Sequence, residues 1–106
     1  ESKTYWIKIY MAGDINDAKQ YIRHHLWNNH GCVNIFETNY IYTGGEEKGF
    51  CVELINYPKF LTTPEKIENE CSGIAIGLMH YLSQKSCTIE DPNITKYYSR
   101  EDEMKV

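Results

Sequence analysis

Residues 4–10 (Thr-Tyr-Trp-Ile-Lys-Ile-Tyr) alternate in polarity and are rich in β-branched and aromatic side chains, which predicts a strand. Tyr5, Ile7 and Ile9 fall on one face, Trp6, Lys8 and Tyr10 on the other. Gly13-Asp14 breaks the pattern. Asp14 is a good helix cap, Asp17 is favourable in a first turn, and Ile15, Ala18, Ile22, His25 and Leu26 recur at helical spacing, so a helix is expected that stops near 28–31. Cys32 to Tyr42 reads as a second strand. Its alternation falters at Glu37-Thr38-Asn39, where a bulge is expected. Thr43 to Gly49 is a glycine-bounded hairpin connection. Phe50 to Ile55 follows as a third strand, with Phe50, Val52 and Leu54 on one face and Cys51, Glu53 and Ile55 on the other; Asn56-Tyr57-Pro58 ends it.

Thr62-Thr63-Pro64-Glu65 combines a cap, a first-turn proline and a favourable charge. Ile67, Cys71, Ile74, Leu78 and Tyr81/Leu82 then mark the buried stripe of a long second helix. Cys87 to Glu90 is a short fourth strand, Asp91-Pro92-Asn93 a turn, and 94–98 has the composition to return as a fifth strand. The order is therefore an α+β, ferredoxin-like β-α-β-β-α-β plait: a four-stranded antiparallel sheet with two helices on one face. Ile7, Ile9, Val52, Leu54 and Ile89 would meet the helices. Trp6, Lys8, Tyr10, Glu53, Thr88 and Glu90 would line the open face.

A chain of 106 residues has room for one core. The domain is placed at 3–99, with 100–106 as a polar tail. Hydrophobic residues at 42% and charged residues at 25% are the balance of a folded globular chain. Apolar runs are too short to span a bilayer, and the first residues lack the pattern of a signal peptide, so a cytoplasmic protein is expected. With a net charge of −4 and its basic residues scattered singly, the chain has no stripe to release counterions, and nucleic-acid binding is disfavoured. Cys32, Cys51, Cys71 and Cys87 each fall in an apolar segment without a C-x-x-C pair and are expected as free core thiols.

No motif names a reaction, and no catalytic residue, metal or cofactor is assigned. His24 and His25 point about 100° apart on a helix and cannot share an ion. His25 falls on the apolar side, His30 by the helix end, and His80 stands alone in the second helix. Asp14 is more simply a cap than a metal ligand. Gly73 and Gly77, four apart, suggest a close approach to the second helix. Trp6 and Tyr10 on the open face suit a subunit interface, and the row Lys8, Glu53, Glu90 is an ordinary cross-strand charge ladder. The candidate ligand site is the pair of loops flanking the third strand: Tyr40, Tyr42, Thr43, Gly44, Gly45, Glu46 and Glu47, with Asn56, Tyr57 and Lys59. Glycine-freed amides cradle anions, and tyrosine and amide groups suit a nucleotide or peptide. The plainer alternative is an exposed hairpin tip.

The stretches 3–14, 40–50 (Tyr-Ile-Tyr-Thr-Gly-Gly-Glu-Glu-Lys-Gly-Phe) and 55–60 (Ile-Asn-Tyr-Pro-Lys-Phe) resemble a family of small phage and prophage proteins over most of residues 3–95. The histidine region departs from that pattern, and no functional residue transfers. The resemblance implies an accessory role against host defence. Three readings follow: a homodimer or higher oligomer that sequesters a nucleotide-derived signal molecule; an inhibitor that binds a host defence protein; or a phosphodiesterase-type enzyme using Asp14 or a histidine.

Overall fold

The computed structural model describes residues 1–29 and 31–100; His30 and residues 101–106, most of the expected tail, lie outside them. The elements are β1 (Trp6–Ala12), α1 (Ile15–Asn29), β2 (Asn34–Tyr42), β3 (Gly45–Ile55), a 3-10 turn (Pro58–Phe60), α2 (Pro64–Tyr81), β4 (Ser86–Glu90) and β5 (Thr95–Ser99). The sheet runs β2-β3-β1-β4-β5, antiparallel throughout. Its first four positions have the order that two crossover helices impose on a β-α-β-β-α-β plait. The expectation of four strands is corrected to five. Asp91 makes the extra strand possible: its carboxylate accepts from the backbone N–H groups of Asn93 and Ile94, both at 2.8 Å, which reverses the chain. Arg100 extends that hairpin by donating its backbone N–H to the Lys85 carbonyl at 2.8 Å.

Both helices start where the capping residues stand. Asp14 Oδ1 accepts from Asn16 N at 2.7 Å and Asp17 N at 3.2 Å, and Thr63 Oγ1 accepts from Lys66 N at 3.3 Å. α2 closes with Ser83 in the left-handed region (φ 56°) and with Gln84 N donating to Met79 O at 2.8 Å, a Schellman-type stop. The core lies between helices and sheet. Ala18 and Ile22 of α1 and Ile67, Cys71, Ile74, Leu78 and Met79 of α2 pack on Ile7, Ile9, Met11, Phe50, Val52 and Leu54.

Three local expectations change. β2 carries no bulge, since its pairing with β3 runs without interruption from Asn34↔Glu53 to Tyr42↔Gly45. The alternation falters there because β2 is an edge strand with most of its residues exposed, so neither face must be apolar. The hairpin loop is short: 45–49, expected as connection, pairs with β2, and Thr43-Gly44 makes the turn with Gly44 at φ 86°. Backbone bonding carries Glu46, Glu47 and Lys48 into the ladder without any apolar face. The third change is Cys32, which is exposed; Cys51, Cys71 and Cys87 are buried, and all are free thiols.

Each sheet edge has a charge on its helix-side face. Glu37 of β2 stands opposite the fully buried Phe50, and Lys96 of β5 stands opposite Ile89. No helix among the described residues is long and apolar enough to cross a membrane.

Candidate functional site

The sheet face turned away from the helices is built by the even-numbered residues of β1, β2 and β4 and the odd-numbered residues of β3 and β5, which the registers place side by side. Its centre is a charge row across three strands. Lys8 of β1 is directly opposite Glu53 of β3 on one side and Glu90 of β4 on the other. Lys8 Nζ is 3.8 Å from Glu53 Oε2 and lies over the Trp6 ring, 5.0 Å from its centroid. Asn34 Nδ2 donates to Glu53 Oε1 at 3.1 Å. Glu90 Oε1 accepts from the Tyr10 hydroxyl at 2.9 Å. Burial, followed by that hydrogen bond, pushes the Tyr10 phenol up to about 12, so it stays a donor and orients Glu90.

One row along, Tyr10, Cys51, Phe36, Thr88 and Tyr97 share a line across the sheet. Cys51 is fully buried yet lies on this face and outside the helix-side core, as the floor between aromatic neighbours. Burial pushes its thiol up to about 11, the opposite of what a nucleophilic cysteine needs. Beyond this row a shallow cleft of about 440 Å³ runs between the start of β3 and the segment 83–88, lined by Tyr10, Tyr40, Glu47, Gln84, Lys85 and Thr88 among others. The Tyr40 hydroxyl donates to the Phe50 carbonyl at 2.8 Å, which fixes its ring as one wall.

The loops proposed from sequence are not brought together. The turn at 43–44 precedes β3 and Asn56 follows it, so the length of the strand, roughly 35 Å at the rise of an extended chain, separates them. Tyr40 and Glu47 line the open-face cleft. Tyr42 lies on the same face, opposite Gly45, and Thr43, Gly44 and Glu46 are exposed at the tip. At the other end, the Asn56 side chain is committed to backbone: Oδ1 accepts from Thr62 N at 3.1 Å and Nδ2 donates to Lys3 O at 2.9 Å. Lys59 is exposed on the 3-10 turn. Tyr57 lines a second cavity of about 590 Å³ on the helix side, with Leu26, Val33, Leu54, Phe60 and Ile67. There burial, aided by the nearby Cys32, pushes its phenol up to about 12.

His25 has a structural place. His25 Nε2 lies 2.9 Å from Glu70 Oε1, tying α1 to α2, and its ring stacks on Tyr21. No group of three or more His, Cys, Asp or Glu among the described residues is placed to hold a metal. The sequence places Lys8, Glu53 and Glu90 in one row across the sheet; the cleft beside them is not legible there, because Tyr40, Glu47 and the 83–88 segment meet only once the start of β3 joins the β2 ladder and the chain returns from α2 into β4.

No protein-family model and no curated protein matches the chain. Two solved structures share its fold. A phage SAM lyase in complex with S-methyl-5'-thioadenosine aligns over 93% of this chain and 92% of its own, at a TM-score of 0.71 and 11% identity. A phage SAM lyase in the apo state aligns over 90% and 88%, at a TM-score of 0.66 and 12% identity. At such identities the likeness establishes the arrangement of the backbone.

Proposed function

We propose that the open sheet face binds a sulfonium nucleoside of the S-adenosylmethionine type and cleaves it, and that the chain serves a phage against host defence by consuming that molecule. The observation that carries this reading is the row Glu53–Lys8–Glu90, bordered by Trp6 and Tyr10, on a scaffold shared with phage SAM lyases. A sulfonium is a permanent cation with no N–H or O–H to donate. Carboxylates and aromatic faces are therefore what holds it. The adjoining cleft, with tyrosine walls and a polar rim of Gln84 and Thr88, suits a nucleoside.

Lyase chemistry on such a ligand breaks a C–S bond with its electron pair left on sulfur, and the sulfonium departs as the neutral thioether S-methyl-5'-thioadenosine. The electron-poor arm closes by losing a proton to a carboxylate, giving an alkene, or by attack of its own carboxylate, giving a ring ester. Neither route needs a nucleophile from the protein, which accords with the raised Cys51 thiol and Tyr10 phenol. Glu90 Oε2 has no hydrogen-bond partner among the described residues and is the group available to the arm.

Phe36, Tyr42 and Tyr97 on this face are 45%, 54% and 71% exposed. A second copy laid over them would cover that surface and close the shallow cleft, so the working form is a homodimer or higher oligomer. Full activity in a species that light scattering shows to be monomeric would end that part of the proposal.

The deciding experiment incubates the purified chain with S-adenosylmethionine and separates the products by chromatography. S-methyl-5'-thioadenosine is expected, with kcat/KM lowered about tenfold or more by Glu53→Gln and by Glu90→Gln in variants that melt like the parent. Substrate returned intact from a thermally stabilised complex would replace cleavage by sequestration. No turnover and no shift in melting would overturn the reading.

A further inference from the structure

We infer that Lys8 pairs with the α-carboxylate of the bound sulfonium and so selects ligands with an intact amino-acid arm, an inference that rests on the open-face site proposed above. Glu90, Lys8 and Glu53 alternate in sign on adjacent strands in direct register. Neighbouring strands lie roughly 4.8 Å apart. In the arm of an S-adenosyl amino acid, the sulfonium and the carboxylate carbon are four bonds apart, which is roughly 5 Å when extended. The two spacings match. A sulfonium held at one glutamate places the carboxylate one strand over, at Lys8, and the ammonium on the same carbon faces the remaining glutamate.

Lys8 is free to take that role. Its ammonium is 3.8 Å from Glu53, beyond direct hydrogen-bond distance, and it has no hydrogen bond among the described residues. Glu53 holds its other oxygen on Asn34, so the pair is already oriented. The Lys8 side chain is 30% exposed, and its ammonium lies over Trp6, which keeps it near the face. Without Lys8 the face would present two carboxylates and repel the carboxylate of the arm. The same row read as a mere ladder would leave ligand choice untouched.

The test is calorimetric titration of the full chain with sinefungin and with sinefungin carboxamide, neither of which has a C–S bond to break. The parent is expected to bind the carboxylate form about tenfold or more tightly than the amide. Lys8→Met should bring the two within about twofold by weakening sinefungin alone, and Lys8→Arg should restore much of the preference. A parent without preference, or a Lys8→Met variant that keeps it, overturns the role of Lys8. If such a protein still yields S-methyl-5'-thioadenosine from S-adenosylmethionine, the proposed function stands without it. A parent that binds neither probe and turns over no substrate overturns both.

Discussion

The Tyr40 ring packs closely on Gly49, its diagonal neighbour across the β2–β3 ladder, and a Cβ at that glycine would overlap both the ring and the Met11 carbonyl. The glycine is what lets the tyrosine fold down onto the strand and reach the Phe50 carbonyl. Gly49→Ala should therefore destabilise the protein by about 1–3 kcal/mol, since the clash includes backbone that cannot rotate away. Urea unfolding measures this, and an unchanged midpoint would show that the ring has room to move. The same substitution disturbs a wall of the open-face cleft and, if that cleft takes the nucleoside proposed for it, lowers the affinity measured by titration.

Gly73 and Gly77 separate in the same assay. Nothing lies within 4 Å of a Cβ at Gly73, whereas one at Gly77 would collide with the Tyr21 hydroxyl and ring. That ring is held by Tyr81 and His25, at centroid distances of 5.4 and 6.2 Å. Gly73→Ala should stabilise α2 by about 0.5–1 kcal/mol through helix propensity. Gly77→Ala should lose more than it gains, by about 1–2 kcal/mol. Equal and favourable changes at both sites would contradict the packing of Tyr21 on α2.

Thiol labelling distinguishes the cysteines. Cys32 is exposed, whereas burial raises Cys51 and Cys87 to about 11 and Cys71 to about 12. A thiol-exchange reagent at neutral pH should modify one group rapidly and the other three only at the rate of unfolding. Cys32→Ser should remove the fast phase.

Alkaline stability tests the buried phenols. Burial raises Tyr57 from 10.0 to about 12, so between those values the unfolded chain has lost a proton that the folded chain retains. Its contribution is complete below about pH 10 and disappears as pH rises towards 12. Melting temperature should fall across that window. Tyr57→Phe should flatten the fall, and Tyr10→Phe should do so independently, since its phenol also stands at about 12. Parallel curves for parent and variants would show that neither phenol is protected.

Much of the fold follows from local chemistry. Asp14 and Thr63 start their helices because their side chains satisfy first-turn N–H groups, and the β1 alternation gives the two faces directly. Patterning failed where backbone pairing acts without burial: Gly45 to Gly49 joins the ladder with charged side chains on both faces, and β2 stays regular although its sequence is not. Cys51 reads as a core residue and is buried, but on the opposite side of the sheet from the helices. The candidate site was legible only in fragments. Tyr40 and Glu47 stand out in the sequence as parts of a glycine hairpin, and Lys8, Glu53 and Glu90 as a cross-strand row, but that the row borders a cleft follows only from the paired start of β3. Asn56 and Lys59 belong to the far end of β3, and no property of single residues reveals that distance.

Glu37 and Lys96, the charges on the helix side of the two outer strands, govern how copies of this chain can crowd together. A strand adding itself to either rim in register would have to shut one of those ions away from water beside apolar neighbours, which is costly. The rims thus resist fibre-like growth even where copies of the chain are concentrated. Open-ended ribbons, the form that edge-to-edge pairing would take, are thereby disfavoured.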